Sequence, residues 1–383
     1  MRLTFLSNYL NHHQLPMSNE FYKLLKDDFK FVAIEKVPED KISLGYNSEF
    51  NVKYLVDGSN RETVLSILEN TDVLIAGSCP YEYMRVFIDN KKPLFLYTER
   101  IFKTGTWHKY SPIARYNMYN LFEKVYNDNM YLLCSSAYTA SDYNDFNLFK
   151  DHCLKWGYFP ESSKHSLDYL LSSKKYNSIV WVGRLIDWKH PEQAIELARY
   201  LKSKRYDFSL SIIGEGPLKD KMQSLIDKYK LNGHVSLKGS MHFTKVREAM
   251  EQSEIFIFTS DFNEGWGAVL NEAMSSACGC VSSYKSGATP FLLDNDNGLV
   301  FDSTQKDLND KVERYIKDKK LLMHHSMNAF STINTTWNYK VAVNNFINFV
   351  EGLLNKKATL IKEGPVSVAP IITNSSAKSF ISE

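Results

Sequence analysis

Residues 263–280 read NEGWGAVLNEAMSSACGC and come two residues after the apolar run 255–260, IFIFTS. A β-rich run, a glycine-bearing loop and then apolar residues at helical spacing predict strand, turn and helix. Within the stretch Glu264 and Glu272 are separated by seven residues. With a helix starting near Gly267, Glu264 sits on the loop at the strand's C-terminal edge, Glu272 lies a turn or more inside the helix, and both can face one crevice. Gly265 and Gly267 allow the backbone to approach a ligand closely, and the start of the helix offers unpaired N–H groups to an anion such as a diphosphate. Ionised carboxylates beside it accept hydrogen bonds from the vicinal hydroxyls of a sugar or ribose. Taken alone, a capped and solvated helix would carry the same two glutamates.

Three loops upstream extend the pattern. VGRLIDWKHPEQAIE (182–196) sets Arg184 and Lys189 between a strand and a helix. There a guanidinium fork and a mobile ammonium suit the charge that develops on a leaving nucleoside diphosphate. IIGEGPLKDKM (212–222) places Gly214 and Gly216 at a strand-to-helix turn, with Pro217 at a first helical position. HVSLKGSM (234–241) opens a short strand at Val235 and ends it at Gly239, whose backbone suits a nucleobase edge. Surface charge, a tight turn and a structural strand explain each loop separately. In order, at the ends of successive strands, they mark the edge where open α/β sheets bind ligands.

The same rhythm runs through the whole chain. Short β-rich runs at 3–6, 31–34, 73–76, 94–97 and 131–134, then 179–182, 208–213, 235–237, 255–258 and 281–283, alternate with amphipathic stretches such as PEQAIELARYLKSK. Alternation of this kind predicts parallel α/β sheets, and 383 residues predict two of them. The expected division is an N-terminal domain over 1–157, a linker over 158–177 rich in Pro, Ser and Lys, a second domain over 178–335, a helix over 336–355, and a tail over 356–383 that is either an extended strap or loose.

Forty-six basic and forty-four acidic residues leave a net charge of +2, so no global field draws the chain to nucleic acid. Five scattered cysteines without a C-x-x-C pair suit free thiols in a reduced compartment rather than zinc. No apolar run is long enough for a spanning helix, and the first residues lack the pattern of a signal peptide, so a cytoplasmic protein is expected.

From about Val180 to Asp302 the four loops together resemble the donor domain of the retaining, nucleotide-sugar-dependent glycosyltransferases of the GT-B fold, family four, also described as glycosyl transferases group 1. The resemblance implies two Rossmann-like, doubly wound domains facing a cleft. It implies that Arg184 and Lys189 hold the donor diphosphate, that Glu272 takes the ribose hydroxyls and that Glu264 contacts the transferred sugar. It also implies that the backbone of Gly265, Trp266, Gly267 and Ala268 lies against the donor, with Gly214, Gly216, Pro217 and Val235 lining the same site. SYKSGATPFLLDNDNGLVF (283–301) matches the next loop and strand, but Ala288 and Phe291 stand where a second Gly and a Glu are common in the family. TTWNYKVAVNNFINFVEGLL (335–354) resembles the last helix, which crosses back to the N-terminal domain.

The first half carries the resemblance only by architecture, because no glycine occurs before Gly45 and the family's glycine-rich first loop is missing. His12, His13 and Gln14 stand in its place, either as hydrogen-bonding partners of an acceptor sugar or as plain loop residues. Glu99, after the run LFLYT, stands where many relatives carry a catalytic histidine, with Arg100 balancing its charge or forming a structural ion pair with it. His108 is a weaker candidate for the same neighbourhood. WHKYSPIARYNMYNLFEKVY (107–126) mixes aromatic and basic residues, as an interfacial helix near a lipid-linked acceptor does and as half-buried packing residues also do.

The expected activity is therefore transfer of a sugar, with retention of configuration, from a nucleotide diphosphate-sugar to a glycan or lipid-linked acceptor. Polysaccharide or glycoconjugate synthesis, at the inner face of a membrane, is the expected setting. No cofactor or metal is expected, since Arg184 and Lys189 replace a cation. The rivals are a nucleotide-sugar epimerase or phosphorylase of the same fold, and a non-catalytic carbohydrate-binding relative. Oxidoreduction is disfavoured because the first strand lacks G-x-G-x-x-G.

Overall fold

The computed structural model describes residues 1–39, 50–122, 125–357 and 361–380, without the side chains of His108 and Phe380. It separates into two compact units, one of Met1–Pro160 with Tyr339–Thr373, the other of Glu161–Asn338 with Asn374–Glu383. Residues 158–177, expected as a linker, contain the helix Leu167–Ser172 and the start of a strand at Lys175.

The first unit is a seven-stranded parallel sheet of β1 (Leu3–Ser7), β2 (Phe29–Ala33), β3 (Leu55–Asp57), β4 (Val73–Ala76), β5 (Leu94–Thr98), β6 (Met130–Cys134) and β7 (Cys153–Lys155), in the order β3-β2-β1-β4-β5-β6-β7. Its central strands are buried on both faces, which is why they read as continuous apolar runs rather than alternating ones. The helix Tyr339–Leu354 belongs to this unit. Its Phe346 ring lies 4.8 Å from Phe95, 5.6 Å from Phe21 and 5.9 Å from Trp156. Part of the tail is an extended strap. Val366 donates to the Lys155 carbonyl at 2.8 Å, Lys155 to the Ser367 carbonyl at 2.7 Å and Ala369 to the Cys153 carbonyl at 2.8 Å, so the free edge of β7 is covered by backbone pairing.

The second unit is a six-stranded parallel sheet of β8 (Lys175–Val182), β9 (Ser209–Ile213), β10 (Val235–Leu237), β11 (Ser253–Phe258), β12 (Gly279–Ser283) and β13 (Leu299–Phe301), ordered β10-β9-β8-β11-β12-β13. Chain order reverses between β8 and β11, so the loops leaving these two strands flank a topological switch point. The helix Glu192–Ser203 buries Ala194, Ile195, Leu197, Ala198 and Leu201 in the core beneath the sheet. Each fully buried Leu or Ile there contributes about 1.5–3 kcal/mol, enough to fix the helix and with it the loop that precedes it. Among the described residues no helix is long and apolar enough to cross a membrane.

Candidate active site

The loop leaving β8 runs from Gly183 to His190, and the loop leaving β11 from Thr259 to Ala268. They are tied together by Asp261 N–H donating to the Trp188 carbonyl at 3.0 Å and by Thr259 Oγ1 donating to the Lys189 carbonyl at 2.6 Å. Thr259 is itself held at 2.9 Å by the indole N–H of buried Trp181 in β8. The consequence is an ion pair at the switch point. Lys189 Nζ lies 2.5 Å from Glu264 Oε2, with the two side chains 12% and 11% exposed, and Ser260 Oγ donates to the same oxygen at 2.9 Å. The Lys189 ammonium also lies 4.7 Å from the Trp188 ring centre and 5.8 Å from that of Phe258.

Arg184 is exposed on the same loop, its guanidinium 5.9 Å from the Trp188 ring, and among the described residues it forms no ion pair. Glu272 lies in the first turn of the helix Val269–Ser275, directly after the loop, rather than a turn or more inside the helix, because the helix starts at Val269 and not near Gly267. Its carboxyl is pushed up by burial, and Arg247 of the helix Phe243–Glu251, 3.7 Å away, pulls it partway back. Arg247 also donates to Ser275 Oγ at 2.7 Å and to the carbonyls of Glu161 and Glu272 at 2.9 and 3.2 Å. Glu264 and Glu272 thus have different cations as partners, which equips them for different tasks.

Between the two glutamates lie Gly265, Trp266, Gly267 and Ala268, all buried. Among the described residues no hydrogen bond uses their four N–H groups, so the loop presents consecutive donors next to the Lys189–Glu264 pair. Gly267 is required there by sterics. At φ +92° a Cβ would stand 2.4 Å from the Phe258 ring. Trp266 contributes backbone only, because its ring is fully buried, donates to Asn271 Oδ1 at 2.8 Å and packs 6.0 Å from Trp337.

Other expectations need correction. Val235 lies at the start of β10, packed into the core, whereas the edge from which the loops leave the sheet lies beyond the strand's other end at Leu237. Pro217 precedes its helix, which begins at Lys219, because Leu218 N–H is taken by the Leu185 carbonyl at 3.0 Å and holds the turn open. Gly214 and Gly216 do permit a close approach, but to the neighbouring loop. A Cβ on Gly214 (φ +142°) would stand 1.8 Å from the Gly183 carbonyl oxygen, and one on Gly216 2.5 Å from that of Leu185.

In the first unit the structure gathers a second group. His13 stacks on Tyr158 with ring centres 5.7 Å apart, and Tyr158 Oη donates to Glu99 Oε1 at 2.7 Å. Lys103 holds the other Glu99 oxygen. The expected partner, Arg100, instead turns inward to Asp142 at 3.0 Å, because Asp142 is buried and already takes the N–H groups of Ile101 and Phe102. Burial, with His12 adding to it, lowers His13 to about 3, so its ring is neutral, and its buried Nδ1 has no partner among the described residues. The rings of His12 and His13 lie 3.8 Å apart. Gln14 is drawn away into a local turn with Asn11, accepting from its N–H at 3.3 Å. The His108 side chain lies outside the described residues.

Sequence reading missed Arg247 and Tyr158. Both are single residues on elements distant in sequence from what they touch, and only the fold brings them to Glu272 and Glu99.

The profile of the family described as Glycosyl transferases group 1 matches residues 166–332. An uncharacterized glycosyltransferase of Methanocaldococcus jannaschii is 27% identical over 182 residues, 46% of this chain and 45% of that protein. The poly(ribitol-phosphate) alpha-N-acetylglucosaminyltransferase of Staphylococcus aureus is 27% identical over 169 residues, 44% of this chain and 34% of that one. The chain thus spans less than half the length of these curated relatives. Among solved structures, Anabaena HepE in complex with UDP superposes with a TM-score of 0.68 at 14% identity, covering 93% of this chain and 100% of HepE. WaaG, a lipopolysaccharide glycosyltransferase, gives 0.59 at 16% identity, covering 91% and 100%. These likenesses show a shared GT-B fold of two Rossmann-like domains. Through residues 166–332 the chain is similar to the family described as glycosyl transferases group 1.

Proposed function

We propose that the chain transfers a sugar from a nucleotide diphosphate-sugar to a glycan or lipid-linked acceptor with retention of configuration, in the assembly of a surface polysaccharide or glycoconjugate. The observation that carries this reading is the Lys189–Glu264 pair at the switch point, flanked by four unused N–H groups and the exposed Arg184. Arg184, Lys189 and the N–H groups of residues 265–268 receive the diphosphate, Glu264 the sugar hydroxyls and Glu272 the ribose. The bond from the anomeric carbon to the diphosphate breaks as the acceptor oxygen bonds to that carbon on the same face, and the acceptor's proton leaves with the diphosphate. The protein's share is positioning and charge stabilisation. No metal is required, because the two cations neutralise the leaving group.

The acceptor side is assigned to the first unit, where His13, Tyr158 and Glu99 form one chain of contacts. Trp107, Tyr110, Ile113 and Tyr116 there are 64–75% exposed, and the helix Pro112–Leu121 has no buried residue. No acidic residue occurs between Arg100 and Glu123. That combination suits a peripheral, cytoplasmic-face contact with anionic lipid. The poly(ribitol-phosphate) and poly(glycerol-phosphate) relatives, by their names, decorate phosphate-rich polymers, and HepE was crystallised with UDP and glucose. UDP-sugars are therefore the first donors to try. The test is incubation with UDP-sugars and candidate acceptors, with the anomeric configuration of the product read by NMR. An axial donor linkage carried into the product supports the reading, and an inverted product or free sugar alone contradicts it.

A further inference from the structure

His190 follows Lys189 in a left-handed backbone conformation, φ 47° and ψ 51°, which glycine adopts freely and a residue with a Cβ adopts at a cost. A glycine would cap this turn better, so the side chain has to account for the histidine. Its Nε2 lies 3.3 Å from Asp261 Oδ2 and its Nδ1 3.3 Å from Glu192 Oε1. Both ring nitrogens face carboxylates, an arrangement that only the charged imidazolium satisfies by donating twice. The neighbours act in the same direction: hydrogen bonds first to Asp261 and then to Glu192 raise the ring to about 9.

Asp261 belongs to the loop that ends in Glu264. Its other oxygen accepts from the Asn263 N–H at 2.8 Å, and its carbonyl accepts from the Glu264 N–H at 3.0 Å. The ring therefore joins the residue after Lys189 to the turn that aims Glu264. The charged groups around it are Asp187, Lys189 and Glu192 on its own segment, Asp261 and, through Lys189, Glu264 on the loop after β11, and Lys221 of the helix Lys219–Lys228, which acts on Glu192.

We propose that His190 is a positioning residue of the donor site, clipping the turn that carries Lys189 to the loop that carries Glu264 through its paired contacts with Glu192 and Asp261. The inference rests on the reading that Lys189 and Glu264 hold the donor. When the ring loses its charge, one of its two contacts is lost, and the ammonium and the carboxylate lose their common frame.

The experiment titrates the full chain with UDP, GDP and ADP, takes the nucleotide that binds, and compares wild type, His190→Gly and His190→Lys across the pH range. At about pH 7, where wild-type His190 is charged, His190→Gly is expected to bind about fivefold more weakly, the size of one partly exposed charge-assisted contact. Towards about pH 10 the wild type should converge on His190→Gly, while His190→Lys, still largely charged, should fall less. A merely structural cap predicts a difference that does not move with pH, and glycine is the substitution least able to disturb the backbone there. Equal binding by wild type and His190→Gly at neutral pH, or a gap independent of pH, overturns the clip. Failure of the wild type to bind any of the three nucleotides overturns the donor reading itself, before any variant is considered.

Discussion

Replacing Glu264 by Gln separates the two things that this carboxylate does. In the unliganded protein it neutralises Lys189 at 2.5 Å and accepts from Ser260 at 2.9 Å, with both charged side chains about nine-tenths covered. Removing one partner of a fully buried pair costs about 3–5 kcal/mol. Here the cost is reduced to about 2 kcal/mol, because the amide oxygen can still accept and the ammonium keeps the faces of Trp188 and Phe258. For a unit of this size that is a fall of roughly 4–8 °C in melting temperature. Nucleoside diphosphate binding should not fall with it, since the ligand supplies the charge that Lys189 has lost and no ion pair has to be opened. Sugar transfer should drop by about 10²–10³-fold, the typical loss when a polar contact made to the reacting sugar is removed. Differential scanning fluorimetry, calorimetric titration and a transfer assay on the same preparation give the three values. Transfer at the wild-type rate would refute the assignment of Glu264 to the sugar, and a lost nucleotide affinity with intact transfer would invert it.

Arg184→Ala should leave thermal stability unchanged, because the side chain is exposed and forms no ion pair among the described residues, yet weaken nucleoside diphosphate binding by about tenfold in calorimetry. Gly214→Ala places a Cβ 1.8 Å from a backbone carbonyl oxygen at φ +142°, a clash that no side-chain rotation relieves. A loss of about 3 kcal/mol or more, seen as poor expression or a much lower urea midpoint, is expected. The pH dependence of stability follows from His190, raised from 6.5 to about 9 by Asp261 and Glu192. A raised folded value gives stability that is whole below 6.5 and lost as the pH rises through about 9. Asp261 and Glu192, which burial pushes up but the His190 hydrogen bond brings below their ordinary range on balance, contribute in the opposite sense, with stability lost as the pH falls through their lowered values. Melting temperatures across that window should decline on the alkaline side, and less so in His190→Gly.

The parts of the fold legible in the sequence were those written as periodic pattern. The central strands of both sheets are continuous apolar runs, and the E-x7-E spacing fixed the strand, loop and helix around Glu264. Two strands escaped, β3 and β7, each only three residues long, too short to show a period and without a strongly apolar run. The site was legible where local spacing decides it, as for Lys189, Glu264 and Gly267. It was not legible where burial decides it. Arg100 and Lys103 offer Glu99 the same charge, and only the inward position of Asp142 determines which one pairs with it. The motif places the backbone of Trp266 at the loop, but nothing local in the sequence shows that its ring fills the core beside Trp337. Val235 opens its strand as the pattern predicts, but its side chain goes to the core and not to the donor-side loops.

The central claim is that the loops after β8 and β11 form a nucleoside diphosphate site. The most direct measurement is a thermal-shift screen of the full chain against UDP, GDP, ADP and CMP without added metal, repeated with Arg184→Ala. One diphosphate is predicted to raise the melting temperature selectively, and by less in the variant. A flat response to all four, or a shift that Arg184→Ala leaves intact, would contradict a donor site built on Arg184 and Lys189.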